Sequence, residues 1–319
     1  MKTKYIYILL FLFVLQASCF AQENTFLLSN KVLGANNPSF FGFNNESEVS
    51  VLHKIQSVND VKIQSSFLSV SNYFPNNSFS LALSVYRENY GIASYSKSKV
   101  NLSFIYKVDL DDKWKAYPSI SAGLVNNTSD YSSLIFGDQM DLYSTILGNT
   151  KEQLDSNEMV KFYPDYSTGV MINNDKIFFG LAISHLNKPK LFVDQNIKQE
   201  VGMSAQLGYE LNINSSYLFL YSSFSNAANQ KSYMFNQEYS ISSFSFGVFE
   251  SLNKRGEAKM AKNLGASFRV QLSKFELTSS YSYGLDKTIS TNNLEIGIIF
   301  NFTPDKLEIE GYNRRFYKD

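Results

Sequence analysis

Cysteine is all but missing from this chain. Its 319 residues include a single cysteine, Cys19, so a disulfide framework and a multi-cysteine metal site are excluded. Histidine is nearly as scarce: His53 and His185 are the only two, and neither has the spacing of a metal motif, so both read as residues of a strand wall. Charge of one sign is not in excess either. The 29 basic and 29 acidic side chains cancel, which leaves no footprint for nucleic acid. No P-loop, dinucleotide fingerprint or nucleophile elbow follows a strand and opens a helix. The expected catalytic residues, cofactors and metals are therefore none, and the protein reads as a non-enzyme. Past the N-terminus no apolar run approaches the roughly 20 residues of a membrane helix, and the mean hydropathy is that of a soluble protein.

Aromatics are plentiful, at 15% of the chain, with 27 Phe and 21 Tyr against one Trp. They suit strands and membrane girdles, whereas the abundant Ser and Asn suit turns and a wet interior. The stretch from Pro164 to Leu186 shows how they are arranged. Two strands flank the turn Asn173-Asn174-Asp175; in the second, Ile177, Phe179, Leu181 and Ile183 alternate with Gly180, Ala182 and Ser184. One face is too apolar for water and the other too small and polar for a soluble core. An outward lipid face and an inward wet face account for both, and alternation of this kind is invisible to hydropathy averages. Elsewhere Phe79, Leu81, Leu83 and Val85 oppose Ser78, Ser80, Ala82 and Ser84, and Leu294, Ile296, Ile298 and Phe300 oppose Glu295 and Gly297.

The pattern predicts an all-β fold, a transmembrane antiparallel β-barrel of the bacterial outer membrane with about 14 strands. The strands are placed near 46 to 57, 61 to 73, 77 to 87, 96 to 108, 113 to 126, 164 to 173, 176 to 186, 199 to 212, 216 to 225, 230 to 238, 240 to 250, 261 to 272, 275 to 284 and 292 to 303. Short connections (74 to 76, 109 to 112, 174 to 175, 213 to 215, 273 to 274) alternate with longer ones (88 to 95, 127 to 163, 187 to 198, 251 to 260, 285 to 291). Barrels pair short periplasmic turns with longer outer loops in this way, which places both termini in the periplasm. Outer-membrane lipid is then the first partner. A charge at lipid depth costs about 2 to 4 kcal/mol, so Arg269, Glu276 and Glu295 are expected to line the lumen.

The ends of the chain read separately. Residues 1–21 form a secretory signal, with Lys2 and Lys4, an apolar run from Tyr5 to Leu15 and small residues up to Ala21. Gln16-Ala17-Ser18-Cys19 admits a lipoprotein alternative, though Gln stands where a lipobox prefers Leu; otherwise Cys19 leaves with the signal. Residues 22–45 are expected as an extended periplasmic lead-in, 46–303 as the barrel and 304–319 as a periplasmic tail. The acidic cluster Asp109 to Asp112 reads as a solvated turn. That at Asp138 to Asp141 reads as loop charge, because it lacks the alternating ligands and turning Gly of a calcium loop. The long loop carries apolar side chains that a solvated linker lacks: Leu134, Ile135, Phe136, Met140, Leu142, Tyr143, Ile146 and Leu147 are the candidate anchors for a partner, or for folding inward as a plug.

The chain resembles the PorP/SprF family of outer-membrane proteins associated with type IX secretion and gliding motility in Bacteroidetes. The likeness runs from about Asn36 to Phe302. It rests on Asn37-Pro38-Ser39-Phe40-Phe41-Gly42, on Pro164-Asp165-Tyr166 with Gly169-Val170, on Gly180 to Pro189, and on Ser280-Tyr281-Ser282-Tyr283 with Leu294-Glu295-Ile296. His53-Lys54-Ile55-Gln56 stands where the family often has Arg and Trp, and Tyr281-Ser282-Tyr283 replaces its late Tyr-Asp-Tyr, as in a divergent paralogue. The resemblance implies a non-enzymatic accessory of type IX secretion, with translocon subunits and a large secreted surface adhesin as partners. The alternative is an outer-membrane pore or hydrophobic-solute channel, and Ser- and Gly-rich inner faces permit either.

Overall fold

A computed structural model describes residues 26–30, 32–43, 47–58, 61–91, 95–128, 139, 161–191, 198–227, 230–255, 260–285 and 291–302. The strands are β1 Glu48–Val58, β2 Val61–Phe74, β3 Phe79–Tyr90, β4 Ser96–Tyr106, β5 Val108–Asp109, β6 Lys115–Thr128, β7 Phe162–Asn173, β8 Ile177–Ser184, β9 Gly202–Ile213, β10 Ser216–Ala227, β11 Gln230–Ile241, β12 Phe244–Arg255, β13 Ala261–Leu272, β14 Phe275–Gly284 and β15 Thr291–Asn301. Each wall strand pairs antiparallel with its sequence neighbours. β1 pairs with β15, and β4 pairs with β6 past the two-residue β5, so the sheet closes on itself. Fourteen strands therefore form a closed barrel with no free edge, as the alternation predicts.

The pleat sorts side chains as lipid and lumen require. On β3, Leu81 and Leu83 are exposed while Ser80, Ala82 and Ser84 are buried; on β15, Leu294, Ile296 and Ile298 are exposed while Glu295 and Ile299 are buried. Phe179 on β8 faces outward beside Leu181. The closing seam keeps this phase, with Val51 opposite Ile298 and Ile55 opposite Leu294. A slip of one residue would turn the whole apolar set inward. Near the short-turn end, outward rings stack as a girdle: Phe74 on Phe79 at 4.7 Å, Phe79 on Phe104 at 5.4 Å and Phe275 on Phe300 at 4.7 Å.

Details of the connections differ from the sequence reading. The hairpin expected at residue 239 turns instead at Ser242-Ser243, with Ile241 opposite Phe244 and φ +52° at Ser242. A single residue cannot reverse a strand, whereas two small polar residues with a left-handed first position do so readily. β8 stops at Ser184, not 186, because His185 takes φ +57°. Among the outer connections, those after β1 and β10 are only two residues long.

The largest departure is the lead-in. Instead of an extended segment outside the barrel, residues 26–43 make 3-10 turns at Leu27–Asn30, Leu33–Ala35 and Pro38–Phe40 within the lumen. Phe26, Leu28, Val32, Leu33, Phe40 and Phe41 are all buried. They pack on inward side chains of the wall, including Leu52, Phe67, Ile105, Tyr117, Met171, Phe178 and Phe219. Apolar side chains spaced too irregularly for a strand found no face of the sheet to join, and the inside of the barrel buries them.

Candidate functional site in the barrel lumen

The lumen has two halves. Toward the short turns it is a packed apolar core built on the N-terminal segment. Phe40 meets Phe178 edge-on at 5.1 Å, and Phe178 in turn approaches Phe219 and Tyr221. Toward the long-loop end lies a vestibule of ≈ 190 Å³, bordered by Phe26, Ala35, Pro38 and Phe41 of the segment and by mixed polar and apolar side chains of β2 to β4 and β6 to β11, serines among them.

The segment is anchored by polar groups at two places. Glu295 on β15 is fully buried, and its two carboxylate oxygens accept from the backbone N–H of Leu27 at 2.6 Å and of Leu28 at 2.7 Å. Lys54 Nζ on the neighbouring β1 lies 4.0 Å from the same carboxylate. With one main-chain N–H on each oxygen, this clasp fixes the start of the segment against the closing seam. The second anchor is Asn37. Its Oδ1 accepts from Ser39 N at 3.0 Å, and its Nδ2 donates to Gln206 Oε1 on β9 at 3.1 Å. Ser39 Oγ bonds Ser119 Oγ on β6 at 2.7 Å, and Ser204 Oγ donates to the Asn36 carbonyl at 3.2 Å.

Glycine makes room for this contact. A Cβ on Gly169 of β7 would stand 2.4 Å from Asn37 Oδ1, and one on Gly180 of β8 2.7 Å from the Phe40 ring. Three of the scattered pieces that carry the family resemblance, Asn37 to Gly42, Gly169 and Gly180, thus meet at one contact between segment and wall, while a fourth, Glu295, holds the start of the segment.

Two charge networks complete the interior. In the vestibule Asp165 of β7 is bridged by Lys99 Nζ of β4 at 2.5 Å and by His185 Nδ1 at 2.9 Å. Nearer the short turns, Arg269 of β13 binds Glu238 of β11 at 3.2 Å and Glu276 of β14 at 3.3 Å. It also donates to Tyr217 of β10, Ser240 of β11 and Ser245 of β12. One guanidinium thereby ties five consecutive strands together inside the barrel.

The structure places Arg269, Glu276 and Glu295 on the lumen side, each in a separate or shared network as described. Leu134, Ile135, Phe136, Met140, Leu142, Tyr143, Ile146 and Leu147, and the cluster from Asp138 to Asp141, fall where only residue 139 is described, so they lie outside the described residues. His53 faces outward from β1 and bonds Ser66 at 2.9 Å, whereas His185 is buried inside; the wall separates them, so they form no common site. Among the described residues no group of three potential metal ligands comes together. Sequence reasoning missed the inward aromatics Phe178, Tyr217, Phe219 and Tyr221. The available signal was a break in the pattern, since a polar inner face interrupted by large rings at one level calls for something apolar to fill the bore.

Comparison with solved structures gives the fold. The outer membrane protein Omp33 of Acinetobacter baumannii shares 8% identity, with 81% of this chain and 98% of that one covered and a TM-score of 0.46. The CymD monoaromatic hydrocarbon channel shares 10%, with 80% and 88% covered and a TM-score of 0.51. No curated protein matches the sequence. The profile described as type IX secretion system membrane protein PorP/SprF matches residues 20–302. With most of its length matched and a closed porin-like barrel as its fold, this outer-membrane chain belongs to the PorP/SprF family of type IX secretion system membrane proteins.

Proposed function

We propose that the protein is an accessory of type IX secretion that aids export or surface retention of a large adhesin, acting as a closed docking barrel and not as a diffusion pore. The observation that carries this reading is the filled lumen. Leu28, Leu33, Phe40 and Phe41 pack against Phe67, Met171 and Phe178 across the bore, and Glu295 and Gln206 hold the filling segment by hydrogen bonds. A pore needs a continuous wet path, and an apolar core at this level opposes one. Docking then falls to the outer loops, foremost residues 129–160, whose apolar anchors suit a protein partner.

Two measurements test the proposal. Reconstituted in planar bilayers, the purified protein is expected to show no steady conductance. From native membranes it is expected to co-purify with a translocon subunit or a large adhesin, and to lose that partner when residues 129–160 are replaced by a short turn. Stable open channels together with a partner-free preparation would establish the transport reading instead.

A further inference from the structure

We infer that the inner wall of the barrel is a peptide-binding site whose resident ligand is the chain's own segment 26–43, and that an aromatic-rich, turn-forming peptide containing Asn-Pro exchanges with it. This goes beyond the secretion-accessory reading and does not depend on it.

The segment is held as a ligand is held, not as a piece of the sheet. Every wall strand has both of its neighbours within the wall. The segment's backbone bonds are largely its own short turns, such as Asn36 N to Leu33 O and Phe41 N to Pro38 O. The ladders that close the barrel run from wall strand to wall strand and do not include the segment.

The wall presents receptor groups of two kinds. Glu295 reads only main chain, two successive N–H groups, and so accepts any backbone that passes it. Gln206, Ser119, Gly169 and Phe178 read side chains: the first bonds the Asn37 amide, the second the Ser39 hydroxyl, the third leaves the hollow that Asn37 enters, and the fourth meets the Phe40 ring. Such a division, with main-chain bonds for affinity and pockets for selectivity, is how peptide-recognition surfaces work.

An empty site is physically tolerable here. Glu295 and Lys54 would meet water once the bore flooded, so release does not strand buried charge in a dry interior. Access exists as well, because Phe26, Ala35, Pro38 and Phe41 border the vestibule, where a chain arriving from the long-loop end first meets the segment.

The test keeps the segment covalently present during folding. A protease site is inserted at 44–46 in the full-length protein, which is assembled, purified in detergent and then cut. A dye-labelled synthetic peptide of residues 26–43 is added. It is expected to bind at one per barrel, to be displaced by unlabelled peptide, and to bind at least about tenfold more weakly when it carries Asn37→Ala, since a buried amide contact is lost. Glu295→Ala in the barrel is expected to weaken binding of the unchanged peptide as well. Failure of the labelled peptide to enter a barrel whose link is shown by mass spectrometry to be cut, or equal binding of a scrambled peptide, would overturn the inference.

Discussion

Gly169→Ala tests the grip of the wall on the N-terminal segment, since its closest contacts are to that segment and only the third is to the neighbouring strand. The added Cβ would lie 2.4 Å from Asn37 Oδ1, 2.9 Å from Ser39 Oγ and 3.1 Å from the Leu181 carbonyl. Contacts under 3.0 Å do not persist, so the Asn37 side chain must swing away. It then gives up its bonds to Ser39 N at 3.0 Å and to Gln206 Oε1 at 3.1 Å. Two buried hydrogen bonds at about 1 to 2 kcal/mol each amount to roughly 2 to 4 kcal/mol, or about 30- to 1,000-fold in the equilibrium for segment release. Hydrogen exchange reads that equilibrium directly, because local opening sets amide protection. Protection of residues 26–43 is expected to fall by this factor while that of β6, β7 and β8 is unchanged. Asn37→Ala alone is expected to cost a similar amount. The double variant should lose little more than either single one, since Ala at 37 vacates the space that Ala at 169 needs, and contacting residues are non-additive. Unchanged protection in Gly169→Ala, or losses that simply add, would refute the proposed contact.

Three further expectations follow from other parts of the barrel. Arg269→Met leaves the buried carboxylates of Glu238 and Glu276 facing each other without their shared cation; removing one partner of a buried pair costs about 3 to 5 kcal/mol, so the barrel should unfold at lower temperature on a detergent gel, and an unchanged transition would show the network to be dispensable. Phe179→Arg and Ile298→Arg place a charge on the lipid face and should impair assembly, at about 2 to 4 kcal/mol near the membrane centre, whereas Ser184→Ala should assemble normally; equal tolerance would mean the register is wrong. Asp111, in the turn between β5 and β6, accepts from the N–H groups of Trp114 and Lys113 at 2.7 and 2.8 Å, which holds its carboxyl below the usual range. A depressed folded-state value means the cap is intact above the ordinary carboxylate value of about 3.9 and is lost only as pH falls through the lower one. Emission from Trp114, the only Trp of the chain, should therefore hold steady from pH 8 to pH 5 and change below about pH 4; a midpoint above pH 5 would contradict the cap.

The wall was legible because its signal is local. Alternation in Phe79 to Val85 or Leu294 to Phe300 needs only the period of a strand and the presence of lipid on one side, and the charges Arg269, Glu276 and Glu295 could be sent inward by cost alone. What the alternation could not convey is what lies opposite an inward residue. Phe178 and Phe219 are in phase with polar neighbours, and only the segment that fills the bore explains them. That segment was illegible for the opposite reason: residues 26–43 carry neither period two nor helical period, and an irregular stretch before the first strand reads as a tether. Its contacts with Gly169, Gln206 and Glu295 join points far apart in sequence, a relation that no window of residues contains.

The sequence separation of those contacts also constrains the order in which the molecule forms. Leu27 and Glu295 are 268 positions apart, and Glu295 lies on the strand that completes the seam with β1. Loop closure of that length is entropically expensive before other contacts shorten it, so the clasp forms only when β15 arrives. The core around Phe40 and Phe178 has a lesser requirement, since β6 to β10 suffice to supply Tyr117, Met171, Phe219 and Tyr221. The segment can thus settle on a partly formed sheet through Asn37 and Phe40 and wait there for Glu295. Docking of the segment and closure of the barrel then reinforce each other: a sheet that curls around a seated segment brings β15 to β1, and the last strand to arrive locks Leu27 and Leu28 in place. On this account the wall anchors at Gln206 and Gly169 act early and the Glu295 clasp acts last, which is why the segment has two separate holds on opposite sides of the bore.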